Sequence, residues 1–277
     1  MAGSTFLVMF VPGRDDRAFY KRLLAYVARR LGVRYVDLDA SSHGGEKDGI
    51  LNRVYRPYGA GGSILRKASV IRLSSTGNTG EVFITIIPCE RRVTQVAGAV
   101  LAYQAGLEEP MIDFVVVADD AEDTGFHEKL TSLQDSLRSL SHYEYGEGEL
   151  SSGDYYRLFA LRRPRGVKLM FLVQGLKQQS IVAKHAIEDY VLFTHRDDLK
   201  ELLEAMGRYP HSLRVDVFDT YAHKKLALLI AIRLCHTRIE ELFLRSLSDA
   251  QLDELLGICD GLSTLYSIVS QLLLESV

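Results

Sequence analysis

The stretch that decides the fold is FLVMFVPGRDDRAFYKRLLAYVARRL, residues 6–31. Its first six residues are continuously apolar, which suits a strand covered on both faces. PGRDD then turns the chain, and Phe19, Leu23, Tyr26, Val27 and Arg30 or Leu31 recur at helical spacing. Strand, short turn and helix is the opening of an α/β unit. The apolar run has no basic region before it and no small-residue cleavage site after it, so it reads as a first strand and not as a signal peptide.

A second apolar run, FVVVADDAEDT at 114–124, ends abruptly in Asp119, Asp120, Glu122 and Asp123. Like charges this close raise one another's pKa values unless a cation, a basic partner or water relieves them. One reading is a polar turn, where Asp accepts backbone N–H bonds. The other is a divalent metal site built from Asp119, Asp120 and Asp123. In an α/β sheet the carboxyl ends of parallel strands share one edge, and ligands bind there. VPGRDDRAF at 11–19 and ADDAEDTG at 118–125 would then face one crevice. Mg²⁺ needs one or two carboxylates, with waters and substrate phosphates completing its shell.

Between these signals VRYVDLDA (33–40) reads as a strand and residues 41–63, rich in Gly and polar residues, as a long or mobile loop. SVIRLSS and EVFITIIPC flank TGNTG, which by its turn chemistry makes a hairpin. ERRVTQVAGAVLAYQAG (90–106) and HEKLTSLQDSLRSL (127–140) read as helices, residues 142–156 as a loop or hairpin, and RLFALRR and VKLMFLVQG as strands. From about residue 177 the pattern is helical almost throughout, beginning with QSIVAKHAIEDYVLF. Strands early and helices late predict an α/β domain over 1–176 and a mostly helical region over 177–277 packed on it.

The chain has 277 residues, 47% of them hydrophobic, enough for a substantial core. A net charge of −3 gives no global pull toward nucleic acid or anionic membrane, so a nucleic-acid partner needs a local basic patch. Arg14, Arg17, Lys21 and Arg22 form one candidate patch and RRPRGVK (162–168) another. Cys89, Cys235 and Cys259 are odd in number and far apart, which argues against a disulfide framework or zinc site and fits a reducing cytoplasm. LALLIAI (226–232) falls far short of the roughly 20 residues that span a bilayer and reads as a core helix or a homodimer interface. Arg outnumbers Lys 23 to 10 and Asn occurs twice, a composition that leans toward a thermophilic source.

These landmarks together resemble the Toprim fold, and in particular Toprim-like proteins of unknown function related to the overcoming-lysogenization-defect nucleases. Where that family reads Val-Glu-Gly-x-x-Asp at the first strand, VPGRDD has Pro12, Gly13 and Asp16. Where it reads Asp-x-Asp, ADDAED offers Ala118 and Asp120, or Asp119 and Ala121, so in neither register are both acids present. KHAIEDYVLF (184–193) is similar to an Ile-Glu-Asp-Tyr/Trp helix of these relatives, and AHKKLALLIAI to their later Lys-containing helix. The resemblance implies Mg²⁺ held by the Asp pair and a Glu acting as general acid or base. Pro12 has no titratable group, which removes that proton transfer and argues against a topoisomerase or primase. PYGAGGSILRK (57–67) does not meet the Walker pattern of the ATPase that accompanies many Toprim domains.

Glu188 and Asp189 are adjacent on a helix and point in different directions; their expected place is a solvated acidic edge, with one of them able to reach the crevice. Lys224 and Lys225 are expected at the surface, with Lys224 as a further candidate. The histidines show no HExxH spacing, and no GxSxG elbow or Cys/His signature is present. Two functions follow. The first is a Toprim-like protein that binds Mg²⁺ and nucleic acid or nucleotide phosphates, with Gly13, Arg14, Asp16 and Arg17 meeting phosphate and catalysis weak or lost. The second is a non-catalytic scaffold whose helical half makes an interface.

Overall fold

The computed structural model describes residues 4–39, 41–56, 67–75, 80–90, 92–140, 144–178, 182, 184–208 and 222–275. It is a mixed α/β structure around one sheet of eight strands, in the order β2-β3-β4-β1-β5-β8-β7-β6. The centre is parallel: β1 (Ser4–Val11) lies between β4 (Glu81–Pro88) and β5 (Phe114–Asp120), and β5 pairs with β8 (Lys168–Gln174). Parallel strands are buried on both faces, and Leu7 to Val11 accordingly have no exposed surface. The flanks are antiparallel. On one side lie β3 (Ser69–Ser74) and β2 (Arg34–Asp37), on the other β7 (Tyr156–Arg163) and β6 (Glu144–Ser152).

Helix α1 (Arg14–Leu31) buries Phe19, Leu23, Tyr26 and Val27, the stripe expected from its spacing, and leaves Arg30 exposed. It ends at Gly32, whose φ of 65° puts it in the left-handed region while its N–H closes on Ala28 and Arg29. Helices α3 (Val93–Ala105) and α4 (Phe126–Leu140) pack on each other and against β1, β5 and β8. The chain leaves β1 toward β4 and returns from β4 to β5, so right-handed crossovers put α1 and α3 on opposite faces of the sheet.

The remaining helices lie on the α1 side: α5 (Glu188–Thr194), α6 (Arg196–Arg208), α7 (Ala222–Arg233), α8 (Ile239–Arg245), α9 (Asp249–Ile258) and α10 (Asp260–Glu275). The Phe19 ring meets Tyr190 at 4.8 Å and Phe243 at 5.4 Å between centroids. Arg22 pairs with Asp249 at 2.6 Å and donates to the Leu247 carbonyl at 2.8 Å. One continuous apolar core joins the sheet to these helices. Among the described residues no single helix is long and apolar enough to cross a membrane.

Two local expectations change. Part of the loop expected at 41–63 is the helix α2 (Gly44–Val54), because Ile50, Leu51 and Val54 form a buried stripe and Gln104 caps its last carbonyls, donating to Val54 at 2.9 Å and Arg53 at 3.0 Å. Positions 57–63 of that loop lie outside the described residues, as do positions 76–79 of the TGNTG turn, although Ser74 and Glu81 pair across it as a hairpin requires. Residues 184–187 are not helical: His185 makes an antiparallel bridge with Glu122, and the helix starts at Glu188.

Phe243 has no exposed surface. Phe243→Ala is expected to cost about 3–5 kcal/mol by opening a cavity between α1 and the C-terminal helices, read as a lower urea midpoint in chemical denaturation.

Candidate functional site

The crossover from β4 to β5 opens a crevice at the carboxyl ends of β1 and β5, where the chain leaves adjacent strands toward opposite faces. A cleft of about 740 Å³ occupies this place. It is lined by Gly13, Arg14 and Asp16 from the start of α1, Asp119 and Asp120 from the end of β5, and Glu188 and Lys224 from α5 and α7. The two sequence motifs and the two helical landmarks therefore do meet. Arg17 turns away, donating to the Lys67 carbonyl at 2.9 Å and pairing with Glu240 at 3.2 Å. RRPRGVK sits at the opposite edge, since Lys168 pairs with Phe114 at the start of β5, so the second basic run cannot serve this cleft.

Successive side chains of a strand point to opposite faces, and this separates the acids of β5. Asp119 goes toward α4, where Lys129 holds it at 2.9 Å. Asp120 goes toward α1 and α5 and accepts the Ile187 N–H at 3.3 Å. Asp123 is two-thirds exposed, 3.8 Å from Lys184. The acids that crowd Asp120 are Asp16 and Glu188, whose negative charge raises its proton affinity.

Asp16 is 4% exposed, in the first turn of α1. Gly13 makes room for it, since a Cβ there would stand 3.2 Å from Asp16 Oδ2. Oδ1 of Asp16 is buried with no hydrogen-bond partner among the described residues. Burial pushes the Asp16 carboxyl up to about 7, with Asp15 adding to the shift and backbone N–H bonds opposing it. Glu188 and Asp189 are not a solvated edge, being 3% and 0% exposed. Burial lifts Glu188 to about 7 as well, against the pull of Lys224, whose Nζ is 3.9 Å from Oε1, while Oε2 has no partner among the described residues. Asp120 lies well above the usual carboxylate range, through loss of water first and then Asp16 and Glu188. Three carboxylates so placed cannot all ionise without help.

Sequence reasoning missed His185 and His223 because neither belongs to a spaced motif. His223 is 5% exposed, its Nδ1 has no partner among the described residues, and burial beside Lys224 and Lys184 lowers it to about 4. His185 donates from or accepts at Nδ1 to Asp189 Oδ2 at 2.8 Å. Its one sequence signal is the four-residue spacing to Asp189 in KHAIED. Two non-glycine residues of the cleft wall adopt positive φ, Glu90 at 48° and Glu122 at 55°, and such conformations concentrate at functional sites.

The sequence matches no protein-family model and no curated protein. Among solved structures it is similar to "Structure of hypothetical protein SA1046 from S. aureus", at 11% identity over 61% of this chain and 91% of that one, with a TM-score of 0.18. That score is too low for the likeness to inform fold or function.

The carboxylates set a pH dependence. With a folded-state pKa of about 7 against an ordinary 4.5, Glu188 contributes stability that is fully present below pH 4.5 and lost as pH rises through 7. Glu188→Gln is therefore expected to melt higher than wild type at pH 8 and at the same temperature at pH 4.5, in metal-free buffer. A variant that melts lower at pH 8 would show that Glu188 is stabilising when ionised.

Proposed function

We propose that the cleft binds a divalent cation of the Mg²⁺ type together with a phosphate of a nucleotide or nucleic acid, as expected of a Toprim-like protein. The observation that carries the reading is the pair of buried carboxylate oxygens without partners among the described residues, Asp16 Oδ1 and Glu188 Oε2, on acids that crowd Asp120. A buried acceptor left unpaired is costly, and a cation relieves both the missing partner and the repulsion.

The residues that would hold the ion are Asp16, Asp120 and Glu188, with Asp119 and Asp123 already engaged by lysines. Among the described residues no three His, Cys, Asp or Glu side chains stand ready as a complete cage. Mg²⁺ does not require one, since it keeps several waters and uses one or two carboxylates plus phosphate. When bound, such an ion would neutralise phosphate charge and polarise a phosphoryl oxygen. Arg14, Lys129, Lys184 and Lys224 line the same cleft and supply the positive charge a phosphate needs. Seven carboxylate side chains line the cleft beside these four bases, so a bound cation is expected to strengthen phosphate binding there.

A second reading, a non-catalytic scaffold, draws on Pro12 at the place of the Toprim acid and on α7, where Leu228 and Ile232 are exposed one turn apart. It predicts a homodimer through the C-terminal helices that Ile232→Glu would split, visible in sedimentation.

Calorimetric titration with Mg²⁺ and Mn²⁺ tests the first reading. Wild type is expected to bind at micromolar to millimolar concentration, Asp120→Asn at least ~10-fold more weakly, and Asp123→Asn like wild type. Equal binding by wild type and Asp120→Asn, or no heat from either, would sink it.

A further inference from the structure

We propose that His185, aligned by the buried carboxylate of Asp189, is the proton-transfer residue of this cleft, accepting a proton from the water that attacks a phosphate ester. The inference rests on the phosphate reading above and supplies what Pro12 cannot.

The segment that carries the ring is fixed at both ends. His185 and Glu122 exchange two backbone hydrogen bonds of 2.7 Å, and the Ile187 N–H reaches Asp120 Oδ1 at 3.3 Å. The imidazole is thereby rooted beside the acids at the end of β5. Gly175 allows β8 to leave the sheet this close: its φ is 112°, and a Cβ there would stand 2.8 Å from the His185 Cβ. On one side the ring packs on Phe126, with centroids 5.7 Å apart.

Asp189 has no exposed surface, and its Oδ2 accepts from the Leu176 N–H at 2.9 Å while standing 2.8 Å from His185 Nδ1. An ionised carboxylate can only accept. A neutral imidazole that donates to it from Nδ1 keeps a free lone pair on Nε2. Nε2 has no partner among the described residues, and the ring, one-fifth exposed, lines the cleft. A base oriented through its other nitrogen by a buried carboxylate is the geometry that proton abstraction needs.

In the step itself, the water oxygen bonds to phosphorus as the bond from phosphorus to the ester oxygen breaks. The water proton passes to Nε2. The departing oxygen keeps the bonding pair and takes a proton from solvent, and the imidazolium returns its proton to solvent. Asp189 is a positioning residue: it sets the tautomer and does not touch the substrate.

The test has two arms on the full chain. In the first, ¹⁵N-histidine NMR of metal-free protein reads the His185 tautomer. The proton is expected on Nδ1 in wild type and redistributed in Asp189→Asn; a proton on Nε2 in wild type overturns the inference. In the second, hydrolysis of bis(4-nitrophenyl) phosphate and of single-stranded DNA is followed with Mg²⁺ or Mn²⁺, alongside calorimetry of the ions alone. His185→Ala, at a partly exposed position, is expected to keep ion affinity and lose roughly 10²-fold or more of turnover, part of which added imidazole restores. Turnover at the wild-type rate in His185→Ala, or ion binding by wild type with no hydrolysis of either probe, overturns the inference while the cation site stands. Hydrolysis that needs His185 and no divalent ion supports the dyad and sinks the cation reading.

Discussion

The structure turns on three carboxylates crowded together at the carboxyl edge of a parallel sheet, Asp16 and Glu188 buried and Asp120 half-buried. Asp16, Asp120 and Glu188 come from a helix start, a strand end and a second helix start, so no local rearrangement separates them. Each lies above the usual carboxylate range. Their placement costs stability that the apolar centre must offset, and a cost of this kind persists where it serves binding or chemistry. The all-apolar strands β1 and β5 fix the edge on which the acids sit. The C-terminal helices, packed on α1 through Phe19, Phe243 and the Arg22–Asp249 pair, close it from above.

That closure explains why the helical half matters to the site. Glu188, His185, His223 and Lys224 all come from beyond the last strand, so the cleft is completed by the region that the sequence pattern separates from the sheet. Lys224 shows the physical consequence. It is exposed, as expected of a surface lysine, yet 3.9 Å from a buried glutamate it tempers that group's proton affinity and remains available to an anion.

The strands and α1 were legible because continuous apolar runs and a 3.6-residue stripe leave few alternatives, and the acidic end of β5 was legible as a cluster. Its inner partner was not. Asp119 and Asp120 differ by one position, and strand alternation sends one to Lys129 and the other to Asp16, a choice that depends on which face each helix covers. Burial of Glu188 and Asp189 was hidden for a similar reason. An acidic pair at a helix start looks like a solvated edge until α7 and β8 are known to lie over it. The glycines at 44, 45 and 49 suggested a loop, and the stripe of Ile50, Leu51 and Val54 together with the Gln104 side chain, far away in sequence, made it a helix.

The central claim is that protons and a divalent cation compete for the same carboxylates. It is tested most directly by counting protons released when Mg²⁺ binds at pH 7, using calorimetry in buffers of different ionisation enthalpy. With Asp16 and Glu188 both near 7 and Asp120 raised as well, the account predicts release of at least about one proton per ion, falling as pH rises. Binding of Mg²⁺ with no proton release at pH 7 would mean that the acids are already ionised and unstrained, and would contradict it.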